Sequence, residues 1–230
     1  MKTYAVLSRL LAYPEPELIA ALPELAAALD REGALAPAER AGLGRLIDAL
    51  ASGDPIDAQA DYVRLFDRTR TLSLHVYEHL HGDSRERGQA MVALVELYRR
   101  HGLDVTAREL PDYLPLVLEF LSRLEPAHAR ALLAEMVPTL TGVESRLVRR
   151  ASAYAAAFAA LRALAHSDAR VPAAPAEEDE SPEALDRAWE EAAVVFGADA
   201  TPDAHGLNQR APDAGCDRAA AIVARFDPTP

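Results

Sequence analysis

Along most of this chain apolar residues return every three or four positions, and that rhythm restricts the polypeptide to helices. Leu140, Leu147, Tyr154 and Leu161 recur at every seventh residue, with Val143, Ala151 and Phe158 between them, and read as one long helix. Leu132, Leu133 and Met136 add a turn or two before Pro138. Val6, Leu7, Leu10 and Leu11 form an earlier stripe, which Pro14 and Pro16 interrupt. Leu18, Ile19, Leu22, Leu25 and Leu29 resume it, with Pro23 as a kink or boundary and Gly33 as a stop. Asp54-Pro55 opens a helix whose buried face is predicted to carry Ile56, Ala60, Val63 and Phe66. Ser73 is placed to cap a short helix through His79, and Asp83-Ser84-Arg85-Glu86 resembles a capping box for the next, which Gly102 ends. No run alternates with period two through β-branched or aromatic residues. The expectation is an all-α, bundle-like domain over residues 1–166.

Beyond it the composition shifts. Residues 167–180 are rich in Pro, Ala and acid and read as a linker. Residues 181–197 place Leu185, Trp189, Ala192 and Phe196 on one helical face, which either docks on a client surface or packs on the body. Residues 198–230 offer little core-forming material and read as a mobile tail.

Charge narrows the partners. The chain has 24 Lys and Arg against 36 Asp and Glu, a formal net charge of −12, so nucleic acid is excluded as a partner on electrostatic grounds and a basic peptide is favoured. A single cysteine, Cys216, builds neither a disulfide framework nor a cysteine-rich metal site. No signal peptide or membrane-spanning run is read, and the cytoplasm is the expected location.

The chemistry-bearing stretch is SLHVYEHLHGDSRERGQAM, residues 73–91. Within it His75-Val76-Tyr77-Glu78-His79 fits the H-x-x-E-H pattern of one class of zinc peptidases, where two imidazoles four residues apart share a helical face and the glutamate serves as base. A catalytic zinc needs a third protein ligand, and no downstream motif names one. A zinc-dependent hydrolase therefore stands as one alternative, and a general helical adaptor as another. The density of Asp67, Arg68, Arg70, His75, Glu78, His79, His81, Asp83, Arg85, Arg87 and Gln89 points instead to a polar surface for gripping another molecule.

YVRLFDRTRTLSLHVYEHLHGDSRERGQAMVALVELYRRHGL, residues 62–103, resembles the signature block of the NarJ family, and ELPDYLPLVLEFLSRL, residues 109–124, resembles its second block. LSRLLAYPEPEL near the start and WEEAAVVFG near the end are also similar to family positions. The resemblance implies a TorD-like helical fold and an assembly chaperone with no catalytic residue, no metal ligand and no stably bound cofactor. It implies binding to the apo catalytic (alpha) subunit of respiratory nitrate reductase, chiefly through that subunit's N-terminal peptide. The alpha–beta complex is thereby kept receptive to insertion of molybdenum bis(guanine dinucleotide) before membrane docking, with the insertion machinery as a further partner.

For a helical peptide, Tyr62, Phe66, Tyr77 and Leu114, with Leu74, are candidates for an apolar floor. Glu78, Asp83, Asp112 and Glu119 are candidates to meet basic peptide residues. Arg70, Arg85 and Arg87 would fix those carboxylates or meet acidic groups, and His75, His79 and His81 complete the surface. Glu119, on an otherwise apolar helix, is expected to need a partner. The two blocks are expected to meet in space, with Pro111 and Pro115 setting the entry of the second beside the first.

Overall fold

A computed structural model describes residues 1–81, 85–105, 109–166 and 171. Short proline-led starts set the element boundaries. α1 (Lys2–Leu10) stops before Pro14, and α2 (Pro16–Glu32), α3 (Pro37–Ser52), α4 (Pro55–Tyr62) and α8 (Pro126–Arg149) each carry proline in the first turn, where its missing N–H costs nothing. Asp54 Oδ1 accepts the Ile56 N–H at 2.8 Å and caps α4. Gly33 (φ 61°) and Gly102 (φ 73°) close α2 and α6 (Arg85–Arg100) in the left-handed conformation, as the sequence predicts. The remaining helices are α5 (Val76–His81), α7 (Leu114–Arg123) and α9 (Ala155–Leu164). Among the described residues the one β-type contact is an isolated antiparallel bridge between His75 and Tyr113.

α1 is the centre of one half of the core. Its Leu7 and Leu10, with the following Leu11, have no exposed surface, and the helix packs chiefly on α7 and α2. Burying each such leucine contributes roughly 2–3 kcal/mol. In the other half α9 lies on α8 and α3, and Phe158, Leu161, Leu140, Leu147 and Leu43 of these helices are buried. Gly42 of α3 lets α9 come close, since a Cβ there would stand 3.2 Å from Ala156 Cβ. Arg162 of α9 donates from Nε and Nη2 to Glu144 of α8 at 3.0 and 3.1 Å, joining the two helices at a nearly buried carboxylate.

Four local expectations are corrected. Pro23 and Pro138 do not end helices but sit inside α2 and α8. Both prolines are exposed, and so is Ala134, whose carbonyl loses its helical partner to Pro138. The seven-residue repeat through Tyr154 is two helices. α8 ends in a turn where the Ser152 N–H reaches Leu147 O at 3.0 Å and Ala151 adopts φ 50°, so Tyr154 stands at the start of α9. Ser73 lies three residues before α5 rather than at its cap, although its hydroxyl still accepts the His75 N–H at 3.2 Å.

The fourth correction concerns α4, where Ile56 is 73 % exposed, Ala60 is exposed and Val63 is half-buried. The buried residues are Tyr62, Leu65 and Phe66. The segment carries two apolar stripes, and the core takes the one with the greater aromatic area. A π-helical turn over Val63–Asp67, closed by the Arg68 N–H on Val63 O at 3.0 Å, carries that stripe forward.

Candidate functional site

Pro111-Asp112-Tyr113 enters α7 against the strand-like residues 74–76. The Val76 N–H donates to Asp112 O at 3.1 Å, and the Leu114 N–H to Leu74 O at 2.8 Å. The two sequence blocks therefore meet, as expected. Asp112 is the junction. Its side chain is wholly buried, with Oδ1 3.2 Å from His75 Nδ1, Oδ2 accepting the Tyr77 N–H at 3.1 Å, and Arg87 Nη2 3.7 Å from Oδ2. A carboxylate taken out of water needs such a set of donors around it. Tyr98 of α6 adds a hydroxyl bond to Pro111 O at 2.8 Å. Burial, and then the neighbouring Asp112, pushes the Tyr77 phenol up to about 12, so it stays protonated.

A second cluster lies one turn away. Glu78 accepts the Ser73 hydroxyl at 2.6 Å and faces Arg70 Nε at 3.4 Å. His79 Nε2 is 2.8 Å from Ser73 O. A carbonyl only accepts, so Nε2 carries the hydrogen and the lone pair is on Nδ1. His75 turns to Asp112 and stacks on Tyr113, with ring centroids 5.5 Å apart. The two imidazoles of the H-x-x-E-H stretch thus serve different partners and Glu78 serves a third. Among the described residues no group of three His, Cys, Asp or Glu side chains is placed to hold a metal.

The expected open floor is not formed by the residues assigned to it. Tyr62, Phe66, Tyr77 and Leu114 are each at most 6 % exposed and belong to the core. Their apolar area is better satisfied by one another: Phe66 packs on Tyr62 and Tyr154 at 5.0 and 5.1 Å between ring centroids. Glu119 is exposed on α7 and needs no buried partner. Asp83, and the side chains of His81 and Arg85, lie outside the described residues, as do the linker apart from Val171, the 181–197 segment and the tail.

What is open is a groove of about 530 Å³ beside α1 and α2. Its apolar lining includes Ala12, Tyr13, Leu18 and Leu25, and Glu15, Glu17 and Glu109 stand there against Arg9. A second hollow of about 560 Å³ shares Arg9 and Leu25 with it and extends it along α1 to Glu119 and Arg123 on α7. The buried junction reaches this groove through Tyr113. Its ring packs on His75, its hydroxyl meets that of Tyr62 at 2.9 Å, and Tyr62 in turn donates to Leu11 O at 2.9 Å. Tyr113 also lines the groove. Glu109 and Tyr113 of the second block so form part of the groove's wall, and His75 of the first block packs behind Tyr113. Sequence reasoning assigned none of Arg9, Tyr13, Glu15, Glu17 and Glu109 to a site, although residues 7–18 and 109–124 are both similar to family positions. The available signal was α2, where Leu18, Ile19 and Leu25 give more apolar width than one buried face needs, and only Leu22 and Leu29 are fully covered.

The sequence pattern of the nitrate reductase delta subunit family matches residues 19–166. This chain belongs to that family. Within it, the chain is 43 % identical over 199 residues, 84 % of each protein, to the nitrate reductase molybdenum cofactor assembly chaperone NarJ of Escherichia coli (strain K12). It is 40 % identical over 216 residues to the probable assembly chaperone NarW of the same strain, covering 91 % of this chain and 90 % of that one. A probable NarJ of Bacillus subtilis (strain 168) is 34 % identical over 153 residues, 66 % of this chain and 82 % of that one. The all-α architecture of this delta-family chain agrees with the TorD-like class implied by its sequence blocks. No described helix is long and apolar enough to cross a membrane.

Proposed function

We infer that this delta-family chain is a dedicated, non-catalytic assembly chaperone acting in the cytoplasm on the apo catalytic (alpha) subunit of respiratory nitrate reductase. It grips the subunit's N-terminal peptide and holds the alpha–beta complex receptive while the insertion machinery delivers molybdenum bis(guanine dinucleotide). The cofactor is cargo for the client and has no resident site here. Residues 1–166 are the working domain, followed by the linker at 167–180, the segment at 181–197 and the tail.

One observation carries this reading: an apolar groove with three carboxylates against one arginine, walled by Tyr113 from the signature junction. Such a groove suits the apolar face of a basic amphipathic helix, with the carboxylates meeting its Lys or Arg residues. The relatives' names supply the client class. The test is calorimetric titration of a synthetic client N-terminal peptide into wild type and into Glu17→Lys/Glu109→Lys. Both sites are at the surface, so folding is retained. Affinity is expected to fall at least tenfold, about 1.4 kcal/mol. Unchanged affinity refutes the groove, and no binding to wild type refutes the client assignment.

A further inference from the structure

The apolar stripe of α4 that the core leaves out has its own groove. Tyr13 (39 % exposed), Ile56 (73 % exposed), Ala60 and Val63 line a hollow of about 540 Å³. Its charged lining residues, among the described residues, are Arg64 and Arg68, with no carboxylate among them. Arg64 also holds Asp61 at 3.1 Å, a surface pair with both side chains 65 % exposed. Tyr13 lines this hollow and the carboxylate-rich groove alike, so two grooves of opposite charge adjoin along the surface. An exposed apolar strip edged by arginines, on a protein of net charge −12, fits an occupant that is apolar on one face and acidic on the other.

The chain carries such a segment. SPEALDRAWEEAAVVFG, residues 181–197, lies outside the described residues, and its sequence sets Leu185, Trp189, Ala192 and Phe196 at helical spacing. Glu183, Asp186, Glu190 and Glu191 stand against Arg187 alone. From His166, the end of the continuous described chain, to Ser181 the extended reach is about 50 Å. A body of this length is on the order of 40 Å across. Val63 of the groove shares its π-helical turn with Phe66, which packs on Tyr154 at the start of α9, and α9 is about 15 Å long, so the segment can reach the groove. A tether of this length supplies an effective concentration on the order of millimolar, which populates even a weak contact.

We propose that residues 181–197 dock on the Tyr13–Ile56–Val63 groove, with their apolar face on its floor and their carboxylates toward Arg64 and Arg68. The chain thereby covers its own exposed apolar strip and leaves the neighbouring acidic groove open. The proposal does not rest on the client assignment.

Trp189 is the only tryptophan in the chain, so its fluorescence in the full-length protein reports on this segment alone. Its emission is expected to be blue-shifted from that of a synthetic 181–197 peptide, with acrylamide quenching several-fold weaker. Ile56→Asp and Arg68→Glu, both at exposed positions, are expected to return quenching to the peptide's value. Far-UV circular dichroism and Tm should stay at wild-type values. A wild-type tryptophan as accessible as the peptide's overturns the proposal. So does a shielded tryptophan indifferent to both substitutions, which places the segment elsewhere. Shielding that appears only with rising protein concentration, together with a dimer in sedimentation, assigns the groove to a second copy and likewise overturns it.

Discussion

Removing the carboxylate of Asp112 tests whether the two sequence blocks are held together at this point. In Asp112→Ala the buried Tyr77 N–H loses its acceptor, a cost of about 1–3 kcal/mol for an unsatisfied buried donor. Arg87, 16 % exposed, loses a wholly buried counter-charge. Breaking a buried ion pair from one side costs about 3–5 kcal/mol. The 3.7 Å separation puts this pair at the lower end of that range. Both losses involve Oδ2, so they overlap, and the expected total is roughly 3–4 kcal/mol. For a protein of this size that lowers Tm by roughly 6–16 °C. Asp112→Asn keeps an oxygen for the Tyr77 N–H and should cost less. Urea unfolding followed by circular dichroism measures each value. Arg87→Ala should cost at least about 1 kcal/mol less in the Asp112→Ala background than in wild type, because its partner is already gone. Asp112→Ala within 1 kcal/mol of wild type, or strict additivity with Arg87→Ala, would refute the reasoning.

Two further tests address the ends of helices. Ala151 holds φ 50° at the close of α8, a conformation that costs an L-residue about 1–2 kcal/mol. Ala151→Gly removes that cost and gives back part of it through the freer unfolded chain. The expected net gain is up to about 1 kcal/mol in a thermal melt, and a loss of stability would count against the strain. Glu32, at the end of α2, accepts the Lys2 and Thr3 N–H groups and the Thr3 hydroxyl, and so caps α1 from another helix. Burial pushes its carboxyl up, but these hydrogen bonds together outweigh burial and hold it below the usual carboxylate range. A depressed folded value means that its contribution is present above the unfolded pKa of about 4.3 and is lost as pH falls through the folded value. Glu32→Gln should therefore cost about 0.5–1.5 kcal/mol at pH 7, with a gap that narrows in acid. A gap that widens below pH 4 would contradict the capping role.

The chain's own pattern determined the class of fold and most of its punctuation. Apolar spacing made it helical, Asp54-Pro55 marked a start, and Gly33 and Gly102 marked stops, because each acts through local backbone sterics. The density of His, Arg and acid in residues 67–91 marked the segment as a gripping surface, whereas the structure turns His75 and Arg87 inward to Asp112, where they hold the two blocks together. Tertiary structure decided which residues that region buries and which it offers. Periodicity cannot rank two apolar stripes on one segment, so only packing shows that Tyr62, Leu65 and Phe66 enter the core while Ile56 stays outside. Pro138 stays inside α8 because its face of the helix meets water, which depends on what lies against the opposite face. The open groove joins residues 9–25 to residues 109 and 113, a meeting set by the packing of α1 on α7 and invisible to any local pattern.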